Sequence, residues 1–333
     1  MLDHIPCLDI HAHHVGERVV ERIRLEGAGY GVILQNNDQG QTRIDIGGRL
    51  TGMPLIPTLL NEAARLHWMD QNGIDIQLLS GWMDLAAYHL EPKAGQWLSR
   101  IQNEALAELV VKQPDRYKAA AMVPLQLGSL AAEELRYAVT QLGHRAVQIG
   151  ARVEEEGLDD PSLDPFWAAC VELDVPVIIH PADLNVPPRI RRLFLQILVG
   201  NPSETTYAAA ALLLGGVFDR FPTLRVLLVH GGGCVPYQFG RIDRGRLAAP
   251  AFAKGPVMHP LNHYAKNLFY DSILHDDLAL NYLIERVGAQ QVALGTDYPF
   301  PLQEPNALAR IQQLTKEQRE ALCWKTGAAL LKL

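Results

Sequence analysis

Val175-Pro176-Val177-Ile178-Ile179-His180-Pro181 places four branched aliphatic residues in five positions and then ends on a histidine. A strand with one wet face alternates apolar with polar residues. This run does not alternate, so it reads as a strand buried on both faces of a parallel sheet. The same kind of run recurs along the chain. The expected strands are Cys7–Ala12, Asp75–Ser80, Ala119–Val123, Ala146–Ile149, Val175–His180, Arg225–His230, Leu268–Asp271 and Gln291–Gly295. Helical periodicity fills the gaps, at Gln96–Lys112, Ser129–Leu142, Pro165–Leu173 and Leu278–Val287. Eight strands alternating with helices define an α/β protein with a parallel sheet. At this count and length a closed (β/α)8 TIM barrel is expected, as a single domain over 1–333. No Gly-x-Gly-x-x-Gly follows the first strand, which argues against a dinucleotide-binding fold.

Two stretches exceed a minimal barrel. Residues 15–57 hold polar, Gly-rich turns and two alternating runs, Tyr30–Leu34 and Thr42–Ile46. They read as a small β insertion at the barrel mouth, and connections that long are usually functional or disordered. Pro188–Phe221 reads as two helices. The second has Asn201 as N-cap, Pro202 at N1 and Glu204 at N3. Its body, Thr205–Phe218, is apolar almost all round, which suits a core or a subunit interface.

Composition narrows the function. The chain has 333 residues, a net charge of −7 and 48% hydrophobic residues. That balance offers no basic stripe for nucleic acid. The four cysteines, Cys7, Cys170, Cys234 and Cys323, form no Cys-x-x-Cys pair, which fits a reducing cytoplasm. The opening residues lack a basic n-region and an apolar h-region, so no signal peptide is expected. The longest apolar run, Tyr207–Phe218, is too short to cross a bilayer, and no membrane association is expected.

Candidate chemistry gathers where apolar strands end. Leu8-Asp9-Ile10-His11-Ala12-His13-His14 closes the first strand, and residues two apart in a strand point to the same side. His11 and His13 therefore project together, with His14 opposite in a structural role. His180 ends the fifth strand, His230 the sixth and Asp297 the eighth. The carboxyl rim of a barrel is where catalytic residues converge. A lone strand-end histidine is ordinarily a hydrogen-bonded loop residue, but chance does not readily put His or Asp at the end of four strands. Three imidazoles and one carboxylate, His11, His13, His180 and Asp297, suit a divalent ion with room left for water. His230 reads as a general base or as a fifth ligand, since a neutral imidazole beside such a water can take its proton. The three glycines after it would let a substrate approach the backbone. His4, His67, His89, His144, His259, His263 and His275 carry no assigned chemistry.

Asp9–His13, His180-Pro181, His230-Gly231-Gly232-Gly233, Gly240-Arg241-Ile242-Asp243 and Gly295–Pro301 resemble, in this order, the amidohydrolase superfamily. They are most similar to its decarboxylase branch, typified by α-amino-β-carboxymuconate-ε-semialdehyde decarboxylase. The resemblance runs from Leu8 to the C-terminal helix. It implies a distorted barrel with one divalent ion, Zn2+ first and Mn2+ as the alternative. It places the ligands on His11, His13, His180 and Asp297 and the water-activating base on His230. It also implies two carboxylate-binding arginines. One matches Arg241, donated across a homodimer interface; the other matches Arg49, with Arg43 as second choice. Where the branch has a tryptophan after His-Pro this chain has Ala182, and Leu193 and Ile197 replace two more.

The leading expectation is a carboxy-lyase removing carbon dioxide non-oxidatively from an unsaturated or aromatic acid. The alternative is a hydrolase or hydratase acting on a lactone, amide or enol acid at the same site. A non-catalytic metal-binding protein is the third reading, and it leaves a free base without a role.

Overall fold

In the computed structural model, which describes residues 5–182 and 186–333, the doubly apolar runs are strands. β1 (Leu8–His13) is followed by β2 (Val32–Asn36), β3 (Thr42–Ile46) and β4 (Arg49–Leu50) of the insertion. The remaining strands are β5 (Ile76–Ser80), β6 (Tyr117–Met122), β7 (Ala146–Ile149), β8 (Val177–Ile179), β9 (Val226–Leu228), β10 (Leu268–Asp271) and β11 (Val292–Ala293). β1 and β5 to β11 form one parallel sheet in sequence order. The sheet curls back on itself. Ile10 N donates to Leu294 O at 2.8 Å, Asp297 N to His11 O at 2.8 Å and His13 N to Tyr298 O at 2.7 Å. The last segment is thereby joined to the first, and the architecture is a TIM barrel. His4 and the opening residues read for a leader lie outside the described residues.

Helices cover the outside of the barrel. They are α1 (Glu17–Glu26), α2 (Glu62–Asn72), α3 (Pro92–Lys112), α4 (Gly128–Thr140), α5 (Asp164–Glu172) and α6 (Asn201–Leu214). α7 (Val217–Arg220), α8 (Val235–Ala248) and α9 (Asp277–Val287) follow, and α10 (Ala307–Arg310), α11 (Lys316–Glu320) and α12 (Thr326–Leu331) complete the chain. Local sequence sets several ends. Asn61 caps α2 by accepting from Ala64 N, and Asp276 caps α9 by accepting from Ala279 N. Inside the barrel Leu8, Ile10, Leu78, Ile178 and Leu227 pack together, and Leu330 and Leu331 of α12 join them. The site therefore has a solid apolar base and opens at the carboxyl ends of the strands. Among the described residues no helix is long and apolar enough to cross a membrane.

The structure departs from expectation in two places. Asn201 is not an N-cap. It has helical φ and ψ, and a π-turn over Gln196–Gly200 runs straight into α6, so no cap is needed. Of the expected apolar helix, Ala208, Ala209, Leu212 and Leu213 are buried while Tyr207 is 67% exposed. The insertion also begins with α1, a helix rather than a loop. Only Val19 and Ile23 of α1 are buried, one turn apart. The antiparallel pair β2–β3 then matches the two alternating runs closely, with Val32 opposite Ile46. Ile44 and Ile46 of the insertion, with Leu59 just after it, pack in one cluster with Trp97, Leu98 and Ile101 of α3.

One buried group makes stability pH-dependent. His144, between α4 and β7, is 1% exposed and donates from Nε2 to Asn103 O at 3.1 Å. Burial lowers its pKa to about 4, against the pull of that hydrogen bond. The folded value lies below the unfolded one, so its contribution is complete above the unfolded pKa and declines as pH falls towards the folded one. Between about pH 7.5 and pH 5 this amounts to roughly 2 kcal/mol. Thermal melts of His144→Gln should show a shallower fall in Tm over that interval than the parent.

Candidate active site

Four side chains, two on β1, one at the end of β8 and one in the segment after β11, meet at the barrel mouth. One ligand atom from each of His11, His13, His180 and Asp297 lies within 4.8 Å of the others, and all four residues are buried. The strand period puts His11 and His13 on one side, and their Nε2 atoms are 3.0 Å apart. His13 Nε2 is 3.1 Å and His11 Nε2 3.4 Å from Asp297 Oδ1. Asp297 reaches this position from a left-handed backbone, φ 60°.

A second set of groups aims these rings. His11 Nδ1 donates to Asp271 Oδ2 at 2.8 Å, His13 Nδ1 to Gly81 O at 3.0 Å and His180 Nδ1 to Pro181 O at 2.9 Å. With every Nδ1 hydrogen engaged, each neutral ring turns a bare Nε2 lone pair inward. Two such lone pairs at 3.0 Å repel unless a cation lies between them. His180 Nε2 and Asp297 Oδ1 are buried and have no hydrogen-bond partner among the described residues. The donor set thus fits a divalent ion. The electrostatics agree. Burial lowers the His11 pKa, partly offset by Asp297 and Asp271, and lowers His180 further. Burial opposes ionisation of Asp297, but the His11, His13 and His230 rings around it hold its carboxyl well below the usual range. Uncharged His11 and His180 rings beside an ionised Asp297 are the state that a cation selects.

His230 stands beside this group rather than in it. Its Nε2 is 3.7 Å from Asp297 Oδ2, and its ring centroid is 5.2 Å from that of His180. Its side chain is 17% exposed, against 0% for His11 and His13. Burial lowers its pKa, but Asp297, and then Asp271, raise it to a net increase. The glycines that follow also have a structural use. A Cβ on Gly231 would meet Leu274 at 2.4 Å, one on Gly232 would meet Tyr270 at 2.5 Å and one on Gly233 would meet the Pro202 carbonyl at 2.1 Å. All three also have positive φ. The turn and its packing by themselves require glycine at all three positions.

The arginines are placed less simply. Arg49, on β4, reaches the pocket beside the cage, together with Asp84, Tyr88, Arg152 and Ala182. Its fork is engaged by Glu154, with Nη1–Oε1 at 2.9 Å and Nη2–Oε2 at 2.8 Å. Arg43 donates instead to Thr51 O at 3.4 Å. Arg241 is exposed on α8 and is not brought to the cage of its own chain. Leu193 is 77% exposed and so does not line this pocket.

Two buried carboxylates were not singled out from the sequence. Asp9 accepts from Gln77, from Thr296 N and Oγ1 and from His11 N, tying β1 to the segment that carries Asp297. Asp271 accepts from His11 with one oxygen and from Gly231 N, at 2.8 Å, with the other. It thereby sets the His11 ring and the His230 loop together. Its signal was the one used elsewhere, a carboxylate closing the apolar run Leu268–Tyr270. Asp271→Asn should weaken the ion about 10- to 100-fold with the fold intact. Competition against a chelator would measure this, and unchanged affinity would remove Asp271 from that role.

A TIM barrel with a His-His-His-Asp cage on its carboxyl rim is the architecture of metal-dependent amidohydrolases. Residues 66–333 match the amidohydrolase family Amidohydro_2, and the chain belongs to that family. It is 33% identical over 299 residues to the 2-amino-3-carboxymuconate-6-semialdehyde decarboxylase of Dictyostelium discoideum, covering 89% of this chain and 82% of that one. It is 31% identical over 258 residues to the γ-resorcylate decarboxylase of Rhodococcus jostii, covering 71% and 76%. The 5-carboxyvanillate decarboxylase of Sphingomonas paucimobilis shares the fold, with a TM-score of 0.83 over 99% of both chains at 22% identity.

Proposed function

We propose that the protein is a metal-dependent, non-oxidative decarboxylase of an unsaturated or aromatic carboxylic acid. The observation that carries this is the inward-facing donor set, with atoms within 4.8 Å and His230 beside it. Similarity to decarboxylases over most of the chain supports it. His11, His13, His180 and Asp297 would hold the ion. Three imidazoles and a carboxylate suit Zn2+; Mn2+ is the alternative, and it is bound in the dihydroxybenzoic acid decarboxylase of Polaromonas, 24% identical to this chain. When bound, a divalent ion supplies Lewis acidity and makes a nearby water more acidic.

The protein's own groups handle proton and position. Loss of carbon dioxide leaves the electron pair of the broken C–C bond on the substrate carbon, which must then gain a proton. His230 Nε2, facing Asp297, can hold and deliver that proton. In a route that begins with water adding to the conjugated system, the same nitrogen accepts the proton of the water. Arg49 and Arg241 would fork onto substrate carboxylates, with Arg43 in reserve. Arg241 would act from a partner subunit. Exposed Leu198, Val199, Tyr207 and Tyr237 on neighbouring elements support a homodimer through this face. Light scattering should give twice the chain mass, and a monomer would remove Arg241 from the site. A cytoplasmic location is proposed from the cysteine usage, all four being free thiols.

A second reading is hydration or hydrolysis. It is favoured by 28% identity over 248 residues to the 2-keto-4-carboxy-3-hexenedioate hydratase of Sphingobium. Incubating the protein with γ-resorcylate, 5-carboxyvanillate and unsaturated diacids in 18O-labelled water separates the two. Decarboxylation gives carbon dioxide and a product one carbon shorter. Labelled oxygen in an unshortened product would replace it with the second reading.

A further inference from the structure

The pocket beside the cage has an apolar floor and a charged rim. Met83, Ala86 and Met122 pack with Tyr88 and Ala182, and Ala182 lies two residues beyond His180. Over this floor stand Arg49, Arg152 and Glu154. Glu154 is at the tip of a tight hairpin, where Val153 N donates to Glu156 O at 2.9 Å and Glu156 N to Val153 O at 2.8 Å. Its φ is 50°, the left-handed region that glycine or asparagine ordinarily occupies. A glutamate tolerated there points to work done by its side chain. That side chain fills both prongs of Arg49. Arg152 adds a hydrogen bond to the Glu154 carbonyl and pairs with Glu204 at 3.4 Å, which steadies the hairpin. The Arg49 and Glu154 side chains are 32% and 42% exposed, and ion pairs that wet are weak and readily exchanged.

We propose that Glu154 is a built-in competitor for a substrate carboxylate. It occupies the Arg49 fork until the second carboxylate of a diacid substrate displaces it, and so it sets how strongly the pocket prefers diacids to monoacids. This rests on the reading of the pocket as the seat of an acid substrate. An acid whose one carboxylate faces the cage leaves the pair intact and is indifferent to residue 154. A diacid must break the pair and is sensitive to it.

Isophthalate and benzoate, titrated calorimetrically into the metal-loaded protein, test this without turnover. Glu154→Gln should bind isophthalate about fivefold tighter, the size expected when a weak surface pair no longer competes, with benzoate unchanged. Glu154→Asp, one methylene too short to fork, should move in the same direction and serves if the glutamine variant folds poorly. In an Arg49→Met background the substitution should have no effect on isophthalate. Unchanged isophthalate binding, equal tightening of both acids, or a persisting effect without Arg49 would each overturn the proposal. A protein that shows these shifts yet releases no carbon dioxide from any acid would overturn the decarboxylase reading alone.

Discussion

Asp297→Ala should lose the divalent ion and, with it, turnover by at least about 10³-fold, since removing ion-based stabilisation of several kcal/mol has an effect of that size. Among the four candidate ligands it is the one carboxylate, the other three being imidazoles. Its position is held by its own backbone, through the left-handed φ and the hydrogen bond to His11 O. Among the described residues the neighbouring carboxylates are already engaged, Asp271 by His11 and Gly231, Asp9 by Thr296 and Gln77, and Asp84 by Gly52 N. Elemental analysis and a carbon dioxide assay on the same preparation check both halves. Retention of a full equivalent of metal with normal turnover would contradict the assignment.

His230→Ala should separate what Asp297→Ala joins. Turnover should fall by about 10²- to 10⁴-fold, the usual contribution of a positioned acid or base, while the ion stays bound. The reason is geometric. His230 Nε2 is 3.7 Å from Asp297 Oδ2 and outside the tight group of ligand atoms, and its Nδ1 is buried without a hydrogen-bond partner among the described residues. A variant that loses the ion would make His230 a fifth ligand. A variant that turns over normally would leave the proton without its proposed carrier.

The barrel was legible because strands buried on both faces cannot alternate, and runs such as Val177–Ile179 and Val226–Leu228 advertise this without any alignment. The clustering of His11, His13, His180 and Asp297 was legible for a related reason, since the ends of parallel strands must share one rim. What escaped depends on tertiary context. α1 buries only two of its ten residues, so its apolar signal is faint. Asn201 looks like a cap, yet the preceding π-turn supplies the helical turn that a cap would replace. The glycines after His230 read as room for a ligand, and their packing against Leu274, Tyr270 and Pro202, which also demands glycine, is set by residues far away in sequence. Glu154 sits 105 positions from Arg49, and nothing local marks the pair.

In the proposed reaction, carbon dioxide release depends on an ion held by these four residues. The direct measurement is the rate of carbon dioxide release from γ-resorcylate and related unsaturated acids as metal-stripped protein is titrated with Zn2+ or Mn2+. Release should appear with the ion and saturate at one equivalent per chain. Release that is indifferent to the ion, or a fully loaded protein that releases none from any of these acids, would contradict it.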